Sequence, residues 1–156
     1  MSDSTAFQDR LHHDNPIRGC FGCGADNPLG LQLKSFIEGD ESIARWRPQQ
    51  YHCSYPGVLN GGIASMLVDC HSACSAAAFE YRERGLDPGL ARDRLPGSWT
   101  RAMNIEFLKP TPTDTELTIR ARVIKRGRKS RTVACSIYAN GEECVKAEVV
   151  VVIAGN

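Results

Sequence analysis

Asn60, Gly61 and Gly62 precede a run of small and apolar residues, and Asp69 follows Gly61 by eight positions. This pattern predicts a helix that begins at the glycines, because an Asn side chain can cap it and glycine leaves its backbone open to a ligand. The first N–H groups of a helix lack internal partners, so they suit a carbonyl oxygen that gains negative charge. Asp69 lies in an apolar helix, where a carboxylate is costly unless it is paired or used. Acyl transfer is the chemistry indicated, although a glycine pair that only turns the chain is the alternative.

Three segments carry a resemblance to a known family: CFGCGADNPLGL at 20–31, YPGVLNGGIASMLVD at 55–69 and WTRAMNIEFLKPTP at 99–112. The chain resembles hotdog-fold acyl-CoA thioesterases of the PaaI-like, phenylacetate-pathway group. The resemblance implies an α+β fold in which an antiparallel β-sheet wraps around one long central helix. It also implies that the Gly61 N–H binds the thioester oxygen, that Asp69 is the catalytic carboxylate, and that Thr100 helps to orient the attacking water.

Asn60 departs from the family's usual signature, which has a histidine at this place, nine residues before the acid. Asn can donate a hydrogen bond but cannot shuttle a proton, so we expect Asp69 to be the base or the nucleophile. Asn60 and Gly62 are further candidates for holding the oxyanion, and His52 is a candidate substrate-binding residue. His71 lies about 200° around the helix from Asp69 and should point away from it. A packed or hydrogen-bonded histidine is the expectation for both His52 and His71.

The spacing of Gly61 and Asp69 bears on the oligomeric state. Eight residues span about 12 Å of helix axis, whereas reacting groups must approach within about 3–3.5 Å. One chain is therefore not expected to serve a single thioester carbonyl with both residues. Two antiparallel copies of the helix would bring Asp69 of one subunit opposite Gly61 of the other, which predicts at least a homodimer, with a dimer of dimers left open. A monomer should be inactive.

A cluster of basic residues marks a predicted turn between strands. It comprises Arg126, Arg128, Lys129 and Arg131, and Lys109 stands near the end of another strand. These side chains are candidates to bind the phosphates of coenzyme A, although a charged, solvated turn is the alternative for each of them. The net charge of +1 argues against generic nucleic-acid binding.

Composition fits one domain, since 42% of the 156 residues are hydrophobic. We expect a loose N-terminal tail over 1–15, with a short docking segment as the alternative, and a single hotdog domain over 16–156. No apolar run approaches the roughly 20 residues of a membrane span, and no signal peptide opens the sequence. A cytoplasmic protein without membrane contacts is therefore expected.

The seven cysteines are an odd number, which favours free thiols over a disulfide framework. Cys20 and Cys23 form a CxxC motif, but one such pair without a second is weak evidence for zinc. We therefore expect no metal and no other cofactor. Cys70 and Cys74 are four residues apart on the predicted helix and are expected to be small core residues.

The remaining elements follow from periodicity and turn signals. Strands are expected at 29–37 and 42–48, joined by a turn at 38–41, and the helix should end near Arg84 and Gly85. A connection over 85–97 would cover part of an acyl pocket. The C-terminal third alternates as an antiparallel sheet, with Met103, Ile105 and Phe107 on one face. A hairpin is predicted at the Asn-Gly pair 140–141.

These observations favour hydrolysis of an acyl-CoA thioester to a free acid and coenzyme A, with the acyl group left open. A hotdog domain that binds acyl-CoA without hydrolysing it is the main alternative, and Asn60 is its best support. A hydratase or dehydratase is less favoured, because His52 and His71 do not form the acid–histidine pattern of that class. A redox or zinc protein centred on Cys20 and Cys23 is the remaining possibility.

Overall fold

The computed structural model describes residues 4–90 and 97–154. In these ranges one long helix packs against a six-stranded antiparallel sheet of order β1-β2-β6-β7-β8-β5, which confirms the expected hotdog arrangement. The sheet strands are β1 (Phe36–Glu38), β2 (Glu41–Trp46), β5 (Gly97–Phe107), β6 (Leu117–Arg126), β7 (Ser130–Ala139) and β8 (Glu142–Ala154). A two-stranded ladder, β3 (Cys53–Tyr55) and β4 (Val58–Leu59), precedes the long helix α2 (Gly61–Glu83), and a short helix α1 (Phe7–Arg10) lies near the N-terminus.

Helix α2 is enclosed because most of its residues are small. Ala, Ser and Cys side chains allow the helix to approach β5 to β8 closely, and residues 74–81 are all buried. By length and composition α2 could cross a membrane, since its most apolar window has a mean hydropathy of 1.2. However, 67% of that window is buried inside the domain, as expected for a core helix. A stripe of Gly62, Met66, Asp69 and Ala73 keeps accessible surface.

Strands β6, β7 and β8 confirm the predicted alternation, whereas Met103 and Phe107 of β5 are exposed. Leu117, Ile119 and Ala121 are buried on the face of β6 toward the helix, while the residues between them are more accessible. Asn140 and Gly141 have φ angles of 51° and 78°, the left-handed conformations required by a two-residue type I′ hairpin turn. The predicted hairpin between β7 and β8 is therefore confirmed.

The strand predicted at 29–37 is wrong for most of its length. Only Phe36–Glu38 pairs with β2, and Gln32 has a φ of 54°, which breaks an extended conformation. Leu31 and Leu33 are buried, but their N–H groups bond to carbonyls of the turn at 20–24. The alternation of leucines in this segment therefore reflects burial against the core, and periodicity alone cannot distinguish this from a strand.

The loose tail predicted over 1–15 is wrong where the structure describes it, and the docking segment is the alternative that fits. Phe7 is 4% exposed, its ring centroid lies 5.8 Å from that of Tyr81, and its N–H donates to the Ser35 carbonyl at 2.8 Å. Gln8 is also buried and hydrogen-bonds to Ser35 through both its side-chain oxygen and nitrogen. The mostly polar composition of this segment gave no indication that Phe7 and Gln8 are buried.

His71 links this segment to the sheet from the opposite side of α2 to Asp69, as expected from their spacing. Its Nδ1 lies 2.9 Å from the Ser35 hydroxyl, and its Nε2 lies 3.0 Å from the Ser42 carbonyl oxygen. Burial lowers the pKa of His71 to about 4, although the bond to Ser42 opposes that shift. His71 is therefore a neutral core residue.

Replacing Phe7 tests whether the N-terminal segment contributes to stability. Phe7→Ala should lower the free energy of unfolding by about 3 kcal/mol, because it removes a buried aromatic side chain from a packed site. Urea unfolding would measure this. Leu29→Ala is the control: Leu29 is 87% exposed, so its loss should change stability by less than about 0.5 kcal/mol. Equal effects of the two substitutions would contradict docking.

Candidate functional site

The entrance of α2 is capped by Asn60. The Asn60 Oδ1 accepts hydrogen bonds from the N–H groups of Gly62 at 2.8 Å and Ile63 at 3.3 Å. Asn60 has an extended conformation, with φ −61° and ψ 132°, as N-cap residues do. Because Oδ1 faces the helix, the carboxamide Nδ2 is directed elsewhere and has no hydrogen-bond partner within the described residues. The cap thus leaves the carboxamide NH₂ of Asn60 available as a donor.

Gly61 supplies a second available donor. Its N–H precedes the first intrahelical hydrogen bond and, in the described parts of the chain, no acceptor bonds to it. Gly62 differs, since its N–H is already used by the Asn60 cap. A Cβ on Gly61 would lie 3.5 Å from the Phe107 ring, so an aromatic wall stands beside this N–H. Gly61 and the Asn60 carboxamide therefore form a donor pair at a helix N-terminus.

Two loops hold this entrance in place. The Leu59 N–H donates to the Thr111 carbonyl at 2.8 Å, and the Thr113 N–H donates to the Gly57 carbonyl at 3.2 Å. The Asn60 N–H donates to the His52 carbonyl at 2.9 Å. The segment after β5 therefore braces the chain immediately before α2, which fixes the direction of the Gly61 N–H.

His52 lies beside the same entrance. Its Nδ1 accepts the Gln49 N–H at 2.9 Å. Its ring centroid lies 5.0 Å from that of Trp46 in a tilted arrangement and 4.5 Å from that of Tyr51 in an edge-on one. Burial lowers the pKa of His52, which favours the neutral ring with its proton on Nε2. His52 is thus a packed, hydrogen-bonded residue that positions Asn60 through its backbone carbonyl.

Asp69 lies on the accessible stripe of α2, about 12 Å along the helix axis from Gly61. The carboxylate is half-buried, and no described residue forms a hydrogen bond or an ion pair with it. A half-buried carboxylate without a partner is unusual in an apolar helix. Asp69 is therefore available to a substrate, to water or to another chain.

Thr100 lies on β5, opposite Val151 of β8, immediately before a bulge at Arg101. Its hydroxyl oxygen is buried and has no hydrogen-bond partner among the described residues. Phe107, which contacts Gly61, is seven residues further along β5, a separation of roughly 20 Å at the rise of a strand. Thr100 and Gly61 of one chain are therefore far apart.

The predicted basic cluster lies at the other end of α2. Arg126 forms an ion pair with Glu83 at 2.8 Å, and Arg131 forms one with Glu80. Arg128 and Lys129 line a groove near Trp99 and the end of β8. Two of the four predicted phosphate ligands thus bind the C-terminal turns of α2, while Arg128 and Lys129 remain candidates.

Lys109, the further basic candidate, pairs with Glu142 at 3.1 Å. The connection predicted over 85–97 is described only to residue 90 and from residue 97, so most of its proposed cover of the pocket lies outside the described residues.

The structure brings Asn60, Gly61, Gly62 and His52 together at one helix end. It separates them from Asp69, Thr100 and the basic groove within a single chain. Sequence reasoning missed the role of Phe107 beside Gly61 and of the Thr111 carbonyl in bracing the entrance. The alternation of β5 predicted Phe107 on the same face as Met103 and Ile105, but Phe107 is 54% exposed and no sequence signal links it to Gly61. A backbone contact such as the second also leaves no sequence signal.

One long helix packed against a six-stranded antiparallel sheet defines the hotdog architecture in the described part of the chain. Residues 56–146 match the family model described as "Thioesterase superfamily". This chain belongs to the thioesterase superfamily, which confirms the resemblance seen in its sequence.

Individual relatives agree with this assignment. The chain is 29% identical over 89 residues to mouse (Mus musculus) acyl-coenzyme A thioesterase 13, covering 57% of this chain and 54% of that protein. The match thus spans about half the length of that curated relative. A thioesterase superfamily protein from Shewanella loihica PV-4 is 32% identical, with a TM-score of 0.62, and covers 77% of this chain and 89% of that chain.

A hypothetical thioesterase from Streptococcus pneumoniae TIGR4, solved with coenzyme A, shares the fold. It is 18% identical, with a TM-score of 0.63, and covers 77% of this chain and 83% of that chain.

The Asn60 cap can be tested by stability. Asn60→Ala should lower the free energy of unfolding by about 1 kcal/mol, because two N–H groups at the helix start lose their acceptor. Asn60→Asp and Asn60→Ser are matched controls that retain a capping oxygen and should lose less. Chemical denaturation would measure all three. Equal stability of Asn60→Ala and Asn60→Asp would contradict a capping role.

Proposed function

We propose that the protein hydrolyses an acyl-CoA thioester to a free carboxylic acid and coenzyme A. The observation that carries this proposal is the braced helix entrance, where the Gly61 N–H and the Asn60 Nδ2 are unpaired in the described structure beside Phe107. Membership of the thioesterase superfamily, the name of the mouse relative and the coenzyme A in the streptococcal structure support the choice of substrate class.

The Gly61 N–H would bind the thioester oxygen as it gains negative charge. A donor held by a helix N-terminus and by two bracing loops needs little reorganisation when the oxyanion forms, and this is the main way such donors accelerate acyl transfer. The Asn60 Nδ2 would add a second donor. Gly62 would not bind the oxyanion directly, because its N–H already donates to the Asn60 Oδ1. It would contribute by holding the Asn60 side chain in place.

Asp69 would activate the attacking water or attack the carbonyl itself. Either role requires an ionised carboxylate, and the absence of a hydrogen-bond or ion-pair partner among the described residues leaves Asp69 free for it. Thr100 would orient the water through its unpaired hydroxyl. Histidine takes no part in this proposal, since His71 is bonded within the core and His52 braces the helix entrance.

The separations along α2 and β5 require two subunits for each site. Gly61 of one chain would face Asp69 and Thr100 of its partner, with the two copies of α2 antiparallel. Strand β5 supports such pairing, because it is an 11-residue edge strand and most of its side chains are exposed in the single chain. Long exposed edges of this kind are normally covered in native proteins.

The groove lined by Arg128 and Lys129 would bind the phosphates of coenzyme A. Arg126 and Arg131 would contribute indirectly, since their ion pairs with Glu83 and Glu80 hold the turn between β6 and β7 against α2. Phosphate binding by exposed cations is sensitive to salt, so substrate affinity should fall as ionic strength rises.

Binding of acyl-CoA without hydrolysis is the second candidate. Asn60 favours it, because the side chain at this position serves as a helix cap and cannot transfer a proton.

Asp69→Asn distinguishes the two candidates. If Asp69 is the base or nucleophile, release of coenzyme A from a panel of aliphatic and aromatic acyl-CoAs should fall at least about 100-fold, while acyl-CoA binding persists. Free coenzyme A would be quantified by chromatography. Asp40→Asn is the control, because the Asp40 side chain is 95% exposed in the turn between β1 and β2; its activity should be unchanged. Binding without release by the wild-type chain would instead establish the non-catalytic alternative.

Gly61→Pro removes the proposed oxyanion donor with little change of fold. Proline is favoured at the first position of a helix, and Asn60 already has the extended conformation that a following proline requires. The rate constant kcat should fall about 100- to 1000-fold, as on removal of other oxyanion donors. Gly61→Ala keeps the N–H, and its Cβ would make only an ordinary contact with Phe107. Similar kcat values for the two variants would contradict the role of this N–H.

A further inference from the structure

A cluster of thiols lies beside α2, apart from the groups proposed for catalysis. Cys20 and Cys23 come from the turn that precedes the buried residues Leu31 and Leu33, and Cys70 and Cys74 lie one turn apart on the helix. The Sγ atoms of Cys20 and Cys70 are 3.8 Å apart, and those of Cys23 and Cys74 are 3.7 Å apart. The Sγ atoms of Cys20, Cys23 and Cys70 all lie within 4.8 Å of one another. The fold therefore places a second pair of cysteines, Cys70 and Cys74, beside the CxxC motif, although the two pairs are far apart in the sequence.

The turn that carries Cys20 and Cys23 depends on two glycines. A Cβ on Gly22 would lie 2.3 Å from the Cys70 Sγ, so only glycine allows this sulfur to approach the turn. A Cβ on Gly24 would lie 2.4 Å from the Cys20 N and 2.5 Å from its carbonyl oxygen, and the Gly24 N–H donates to that carbonyl at 2.9 Å. The turn is thus shaped closely around the sulfurs.

Backbone N–H groups stabilise the thiolate form of Cys20. Burial raises the pKa of Cys20, but backbone N–H groups of Cys23 and Gly22 donate toward its sulfur and lower the pKa below its ordinary value. Such bonds stabilise a metal-bound thiolate in the same way. The hydrogen bond with Cys70 lowers the pKa of Cys23, but the Cys74 thiol and burial outweigh it and raise that pKa; the Cys23 thiol and burial raise the pKa of Cys70.

We propose that Cys20, Cys23 and Cys70 bind one zinc ion or a similar soft divalent cation. Cys74, whose Sγ lies 3.7 Å from that of Cys23 but not within 4.8 Å of all three sulfurs, would complete the site by moving closer as the fourth ligand. In a tetrahedral site with zinc–sulfur bonds of about 2.3 Å, neighbouring sulfurs lie about 3.8 Å apart, which matches both of the paired distances. Each thiol releases its proton on binding, and no oxidation takes place. This assignment differs from the expectation of no metal.

Four cysteine ligands would close the coordination shell, so the ion would be structural. It would tie the segment before β1 to the middle of α2, immediately next to Asp69 in the sequence. The inference does not depend on the proposed thioesterase activity, because metal binding can be measured without any substrate.

Metal content and cobalt spectra test this proposal. Wild-type protein purified under reducing conditions without chelators should contain about one zinc per chain by mass spectrometry. The apoprotein titrated with Co²⁺ should develop a thiolate-to-cobalt charge-transfer band that saturates near one equivalent. Cys20→Ser and Cys70→Ser should each lower zinc content and the cobalt band at least tenfold. Cys53→Ser, which changes a cysteine of β3 outside the cluster, should retain both.

Folding of each variant would be checked by circular dichroism. If Cys70→Ser fails to fold, Cys20→Ser and the wild-type cobalt titration still decide the matter, because Cys20 is only partly buried. A reduced, folded wild-type chain that contains no zinc and gives no cobalt band would overturn the proposal. A Cys20→Ser variant with unchanged zinc content would also overturn it. The same holds for a chain with a Cys20–Cys70 disulfide that still fails to bind Co²⁺ after reduction.

Discussion

The rigidity of α2 is the constraint on which the rest of the site depends. Its small residues bury it against the sheet, so the helix cannot bend to bring Gly61 and Asp69 together across about 12 Å. Strand β5 likewise keeps Thr100 away from Gly61, because Phe107 lies near Gly61 and Thr100 is roughly 20 Å from Phe107 along the strand. A second copy of the chain is the simplest means to unite these groups, and the accessible stripe of α2 is the surface it would use.

The same helix is braced from several directions. At its N-terminus, the N–H groups of Leu59 and Asn60 donate to the carbonyls of Thr111 and His52 and fix the chain at the helix start. Along its middle, His71 and the thiol cluster connect it to the chain that precedes β1. At its C-terminus, Glu83 and Glu80 bind Arg126 and Arg131, which flank the turn between β6 and β7. These contacts hold the helix dipole and the Gly61 N–H in a fixed direction, as a preorganised oxyanion site requires.

The elements with strong local signals were predictable from sequence. The helix start at Asn60, the alternation in β6 and the hairpin at Asn140 each follow from cap, period or turn chemistry within a few residues. The non-strand segment at 31–35 and the docked N-terminus were mispredicted because their conformations depend on contacts with distant residues. The approach of Cys70 to Cys20 is of the same kind: it joins positions 50 residues apart through tertiary packing.

Subunit complementation tests the composite site most directly. Chains carrying Asp69→Asn and Gly61→Pro would be given different tags, combined, and purified as the mixed dimer through both tags. Each variant alone should be nearly inactive, but the mixed dimer has one site with both groups intact and should recover about half of the wild-type turnover per dimer. A mixed dimer no more active than its parents would contradict sites shared between subunits, as would full activity in an isolated monomer.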